Sequence, residues 1–228
     1  MRVNPRVLSH SLALDGLPDD VAEELARVAH ARPIKAGQAV FEAGDPGDGF
    51  YALIEGSLHV VLRGEDGEQV LAILSPNAVF GEMSLFDGEP RSATVVAVRP
   101  SRVAFFERSA VYRFADDHPA VYRHMLGIVG RRLRASNASL AARSLLPLPG
   151  RIAQTVLGLA DSFGKDVGQG RTLVHHKISQ EDLAKVVGAA RENVSRVLND
   201  WKRAGYISRI SGYYCIENMQ ALRALATI

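Results

Sequence analysis

The sequence predicts an α+β chain in three stretches: a β-roll, one long helix, and a small unit of two short helices followed by a hairpin. Three observations carry this. Between Pro33 and Phe106 apolar residues come in short runs, among them AVFEA, FYALIEGSLHVVL, QVLAIL, ATVVAV and RVAFF, separated by Gly, Asp and Pro, which is the pattern of an antiparallel roll or barrel. From Pro119 to Arg143 the period becomes helical, with Tyr122, Leu126, Val129, Leu133 and Leu140 on one 4-3 seam that passes through Ser136. From Ser179 to Ile216 two brief helical patterns precede two strand-like runs joined by Ser211-Gly212.

Taken in order, Pro18 to His30 has helical spacing and is expected to pack outside the roll. Gly44 to Gly49, GDPGDG, echoes a dinucleotide fingerprint, but no helix pattern follows and two aspartates would repel a pyrophosphate, so a hairpin turn is expected. Phe80 to Val95, FGEMSLFDGEPRSATV, is the most chemically loaded stretch. Glu82 offers a carboxylate that can accept from a ribose 2'-hydroxyl, and Arg91 offers a fork that can grip a phosphate. Gly81 would let backbone approach a sugar closely, and Leu85 with Phe86 would form a short helical turn whose amides face an anion. Strand flanks would bury both charges, and a buried charge needs a partner. That partner is either a small cyclic phosphate or, in the blander reading, Glu82 and Arg91 for each other.

A lone amphipathic helix lying on its own roll would show a broader apolar stripe than the seam of residues 122–140, so a parallel two-helix dimer is expected there. Ser136 and Asn137 break that seam with polar groups that could meet the edge of a base. Ser144 to Gly150, SLLPLPG, reads as a hinge and domain boundary before a further helix from Arg151 to Ser162, and Ser162 to Arg171 reads as a surface loop. Ser179 and Asp182 form a capping-box start for a first helix that Gly188 ends. A second helix from Arg191 to Ala204 turns Val194, Val197, Leu198 and Trp201 inward, leaving Arg191, Glu192, Ser195 and Arg196 on the opposite face near its N-terminus, where a recognition helix touches base edges.

Composition narrows the function classes. The 228 residues are 47% hydrophobic and 23% charged, enough for a core; no apolar run approaches a membrane span and no secretory leader is recognisable, so a cytoplasmic protein is expected. The single cysteine, Cys215, excludes an internal disulfide and an all-cysteine iron-sulfur cluster within one chain, and its place on a wing strand favours plain packing. His175 and His176, assigned to a surface strand, have no further ligand at metal spacing. The net charge of +2 conceals an asymmetry: residues 171–210 hold eight Lys or Arg against four Asp or Glu, so the remainder carries −2. A basic C-terminal segment suits a polyanion.

In this order the motifs resemble the superfamily of the cyclic-AMP receptor and the fumarate-nitrate-reduction regulator over nearly the whole chain. GRIAQTVLGLA from Gly150 and VGAARENVSRVL from Val187 look especially like the cyclic-AMP receptor branch. The resemblance implies an N-terminal cyclic-nucleotide-binding β-roll (1–118), a dimerisation helix with hinge (119–146) and a C-terminal winged helix-turn-helix (147–228). It implies that Gly81, Glu82, Met83, Arg91 and Ser92 hold ribose and phosphate, and that Ser136-Asn137 stands where the family has a Thr-Ser pair on the base. It further implies that Ser179, Gln180, Arg191, Glu192, Ser195 and Arg196 meet double-stranded DNA. The expectation is a homodimeric, non-enzymatic transcription regulator without cofactor or metal, gated by cAMP or, less favoured, cGMP, and contacting RNA polymerase. The alternatives are a nucleotide-binding subunit acting on a protein partner and an effector-independent DNA-binding regulator.

Overall fold

The computed structural model describes residues 8, 11, 13–64 and 67–227. After helix α1 (Asp19–Arg27), eight strands follow: β1 (His30–Ile34), β2 (Ala39–Phe41), β3 (Gly49–Glu55), β4 (Leu58–Gly64), β5 (Gly67–Leu74), β6 (Val79–Phe80), then β7 (Thr94–Ala97) and β8 (Ser101–Glu107) after a short helix α2 (Met83–Asp87). They form two antiparallel four-stranded sheets, ordered β1-β8-β3-β6 and β2-β7-β4-β5.

The first sheet is covered on both faces, which is why β3 reads as an unbroken apolar run rather than an alternating one. Tyr51 and Leu53 face the interior of the roll with Leu58, Phe80, Val95, Val103 and Phe105. Phe50 and Ala52 point the other way, onto Leu25 of α1, Val111 of α3 (Arg108–Asp117) and Val121, Met125 and Ile128 of α4 (Ala120–Leu145). The fold is thus α+β, with the long helix laid by its first turns on the outside of the roll.

Several connections differ from their sequence reading. Gly44 to Gly49 is a crossover between sheets, since β2 belongs to one and β3 to the other. It is tied down at Arg91, whose carbonyl accepts from Gly44 N at 2.8 Å and whose N–H donates to Asp45 O at 2.9 Å. The break after α4 is only Leu146 and Pro147, because α5 (Leu148–Phe163) starts earlier than Arg151. Pro149 is tolerated in a first turn, and Gly150 is there for closeness: a Cβ would lie 2.7 Å from Leu225 O.

The chain forms two compact units that divide within α4, after Arg134. In the second, Ser162 to Arg171 is no free loop, for β9 (Gly164–Asp166) pairs with β10 (Thr172–Val174). Helix α6 (Gln180–Val187), helix α7 (Arg191–Arg203) and strands β11 (Ile207–Ile210) and β12 (Tyr213–Ile216) follow, closed by α8 (Met219–Leu225). The wing is therefore four-stranded, β11-β12-β10-β9, not two-stranded. His175 and His176 lie just past β10: His175 is exposed and stacks on Tyr213 at 4.9 Å, whereas His176 is buried and stacks on Phe163 at 4.5 Å. Cys215 is wholly buried, and burial pushes its thiol up. Among the described residues no helix is long and apolar enough to cross a membrane.

Candidate functional site

The cassette is assembled where β6 runs into α2 and where the segment before β7 returns beneath the crossover. Gly81 adopts φ 73°, and a Cβ there would lie 2.8 Å from Arg91 Nη1 and 3.2 Å from the Phe41 ring. The glycine therefore makes room for Arg91, a packing role that the sequence reading did not include. Arg91 is 3% exposed. Its Nη1 donates to Gly49 O at 2.8 Å and Gly81 O at 2.6 Å, Nη2 to Asp48 Oδ1 at 3.2 Å, and its guanidinium lies 4.4 Å from the Phe41 ring centre. Arg91 Nε is buried with no hydrogen-bond partner.

Glu82 is 0% exposed and does not pair with Arg91. Both its oxygens accept from Arg132 Nη1, at 2.6 and 2.7 Å, while Arg132 Nη2 donates to Val79 O at 3.0 Å. Each buried charge thus has a protein partner, Asp48 for Arg91 and Arg132 for Glu82, so burial alone does not demand a ligand. Two groups are left over for one: the orphaned Arg91 Nε and the unused lone pairs of the Glu82 carboxylate. Burial, and then the Asp48 carboxylate, raise the Tyr51 phenol at the floor of this cluster.

The other expected contributors sit less deeply. Ser92 is exposed, with only a 3.9 Å contact to Met83 Sδ, and Met83 is itself 47% exposed. Ser136 and Asn137 lie past Arg134, in the second compact unit, and are exposed rather than buried. On the seam, Tyr122 and Val129 are half-buried whereas Leu126, Leu133 and Leu140 are 64%, 61% and 66% exposed; Val121, Met125 and Ile128 are the residues that α4 turns onto the roll. Arg132 continues that inner row in helical steps of 4, 3 and 4 from Val121, a spacing that could have singled it out from Arg131 and Arg134.

In the second unit Ser179 Oγ accepts from Asp182 N at 3.0 Å and the Asp182 carboxylate accepts from Ser179 N, so the capping box that starts α6 is present. Gly188, at φ 65°, caps its end. Val194, Leu198 and Trp201 are buried, which turns the other side of α7 to solvent. There Gln180, Arg191, Glu192, Ser195 and Arg196 line one open groove, together with Asn199, which the sequence reading did not include.

Residues 31–118 match the family model of a cyclic nucleotide-binding domain, and residues 150–225 that of a Crp-like helix-turn-helix domain. A CRP-like cAMP-activated global transcriptional regulator of Mycobacterium tuberculosis is 33% identical over 207 residues, 90% of this chain and 92% of the relative. The cAMP-activated global transcriptional regulator CRP of Pasteurella multocida is 30% identical over 185 residues, 79% of this chain and 86% of its own length. Among solved structures, FixK2 from Bradyrhizobium japonicum aligns over 88% of this chain and 98% of its own, with a TM-score of 0.78 at 20% identity, a likeness of fold. A CRP-family transcriptional regulator from Thermus thermophilus aligns over 86% and 96%, with a TM-score of 0.71 at 27% identity.

Proposed function

Because this chain belongs to the CRP-like family of transcription regulators, we propose that it is a cytoplasmic homodimer in which a cyclic nucleotide governs binding to palindromic operator DNA. The observation that carries the reading is the Glu82–Arg132 pair, a buried carboxylate of the cassette gripped by an arginine of the long helix. A ribose hydroxyl donating to Glu82 alters the surroundings of Arg132, and a phosphate oxygen takes the free Nε of Arg91 and the hydroxyl of Ser92. Occupancy is thereby felt on α4. A ligand shifts an equilibrium only through differential affinity for two states, and this pair is where such a difference arises.

The exposed leucines at 126, 133 and 140 recur every seventh residue and fit a second copy of α4, which removes three large apolar side chains per chain from water. Ser136 and Asn137 then meet the purine edge. A hydroxyl accepts from the exocyclic amine of adenine, and the asparagine amide does the same or donates to guanine O6, so cAMP is the stronger ligand and cGMP is admitted. The dimer presents two α7 helices to successive major grooves and contacts RNA polymerase at the promoter.

An effector-independent regulator is the second reading, favoured by one observation: Arg91 and Glu82 both already carry protein partners. Titrating cAMP and cGMP separately into the purified protein by calorimetry, with operator binding measured at each stage, decides between them. Saturable cAMP binding that strengthens DNA binding supports the first. Tight DNA binding indifferent to either nucleotide overturns it.

A further inference from the structure

We propose that Arg108 and Tyr112 of α3 are positioning residues for the nucleotide: they hold α2, and with it Glu82, at the separation from Arg91 that a cyclic nucleotide needs. The inference rests on the cyclic-nucleotide reading above and adds to it two residues outside the cassette. Helix α2 cannot hold itself. It has five residues, Met83–Asp87, with no side-chain cap on its N-terminus among the described residues, and a helix so short is unstable alone. Glycines at positive φ flank it, Gly81 at 73° and Gly88 at 74°, so the chain on either side resists reorientation little. What fixes α2 must come from other elements.

Its N-cap residue is Glu82, gripped by Arg132 of α4. Its carbonyls are gripped from α3. In so short a helix nearly every carbonyl lies in the last turn, where backbone donors run out. Arg108 Nη2 donates to Ser84 O, and the Tyr112 hydroxyl donates to Leu85 O. The two side chains stand four residues apart on one half-buried face of α3, so they meet two consecutive carbonyls of α2 together.

The same arginine reaches the other half of the site. Arg108 Nη2 also donates to Gly47 O at 2.5 Å, and the Arg108 N–H donates to Asp48 O at 2.8 Å. Asp48 is the ion-pair partner of Arg91. Gly47 packs so closely on α2 that a Cβ there would lie 2.1 Å from Ser84 Cβ. One guanidinium therefore ties α2 to the crossover, and hence the carboxylate assigned to the ribose to the arginine assigned to the phosphate. A rigid ligand that makes both contacts gains from having their separation set in advance.

Calorimetry with cAMP on the full-length protein tests this. Tyr112→Phe, which deletes only the hydroxyl, should weaken binding about fivefold. Arg108→Lys keeps the cation but not the fork and should weaken it about tenfold, and Arg108→Met further still. Arg113→Ala, on the exposed side of the same helix, should change nothing. A merely structural role would lower the urea midpoint and leave the affinity of the folded protein as it was, so amide exchange is read in parallel. In the free variants residues 83–88 should exchange faster while β3 and β8 keep their protection, and saturating cAMP should slow them again. If Arg108→Met fails to fold, Tyr112→Phe and Arg108→Lys still decide. Native cAMP affinity in both, or protection lost across the whole roll, overturns the positioning role, while cAMP binding by the wild type keeps the cyclic-nucleotide reading standing. A wild type that binds neither cAMP nor cGMP overturns that reading, and the positioning role with it.

Discussion

Arg132 Nη1 lies 2.6 and 2.7 Å from the two oxygens of Glu82, a carboxylate with no exposed surface, and so joins the long helix to the cassette through one ion pair whose carboxylate is buried and whose arginine is half-buried. Removing one partner of such a pair leaves the other charged and desolvated, which costs far more than the pair itself contributes. Arg132→Ala should therefore destabilise the roll by about 2 to 4 kcal/mol, and adding Glu82→Gln should return much of that loss. Urea unfolding of the single and double variants measures it. Equal stability of Arg132→Ala and the wild type would mean that the pair is not maintained in solution.

Arg91 ties the fold together by gathering the carbonyls of Gly49 and Gly81 as well as Asp48, so on the proposed function its replacement should be felt by fold and ligand alike. Arg91→Ala should abolish nucleotide binding, losing about 2 to 5 kcal/mol or roughly thirtyfold or more in affinity, and should also lower stability. Arg91→Lys separates the two effects, since it keeps a cation but loses the fork. Calorimetry giving near-native cAMP affinity for either variant would remove Arg91 from the phosphate site. Glu82→Ala should weaken binding more mildly and lose discrimination against 2'-deoxy ligands.

The roll, the long helix and the helix-turn-helix were legible because each rests on local periodicity and turn chemistry, as in the run from Phe50 to Leu53 or the Ser179–Asp182 box. The partners of the buried charges were not. Glu82 finds Arg132 fifty residues on, and Arg91 finds Asp48 across forty-three, distances at which one sequence offers no pairing signal. The same limit hid the β9–β10 pairing, whose Lys165 and Asp166 carry no strand propensity of their own. Gly81 has a packing role the sequence could not show: its positive φ suits a ligand approach and a packed arginine equally, and the Arg91 contact lies ten residues on.

The seam predicts an assembly state. Leu133 is 61% exposed in the single chain, so a charge there costs the isolated chain little. In a parallel pair of α4 helices it would bury two carboxylates against apolar side chains. Leu133→Asp should sediment as a monomer at micromolar concentration and bind operator DNA sharply more weakly. A variant that stays dimeric would move the interface elsewhere.

Asn137 should set base selectivity. Its amide both donates and accepts, whereas a serine in its place offers a shorter reach and one hydroxyl. Asn137→Ser should raise the ratio of cAMP to cGMP affinity, measured by parallel titrations. An unchanged ratio would mean that Asn137 does not face the base.

The operator itself carries the last prediction. Two recognition helices related by a two-fold axis should read a palindrome whose half-site centres lie about 34 Å apart. Arg191 and Arg196 are separated by five residues, about 7.5 Å along α7, so they should address different base pairs of one half-site, each suited to guanine, with Glu192 expected to accept from a cytosine beside them. Arg196→Ala should relax preference at one symmetric pair of positions and cost about 1 to 3 kcal/mol per half-site. Lys185→Ala should instead weaken all sequences alike and flatten the salt slope. Selection from randomised DNA by the liganded protein reads both outcomes at once: without an enriched palindrome, or with every base preference intact in Arg196→Ala, α7 is not the helix that reads the bases.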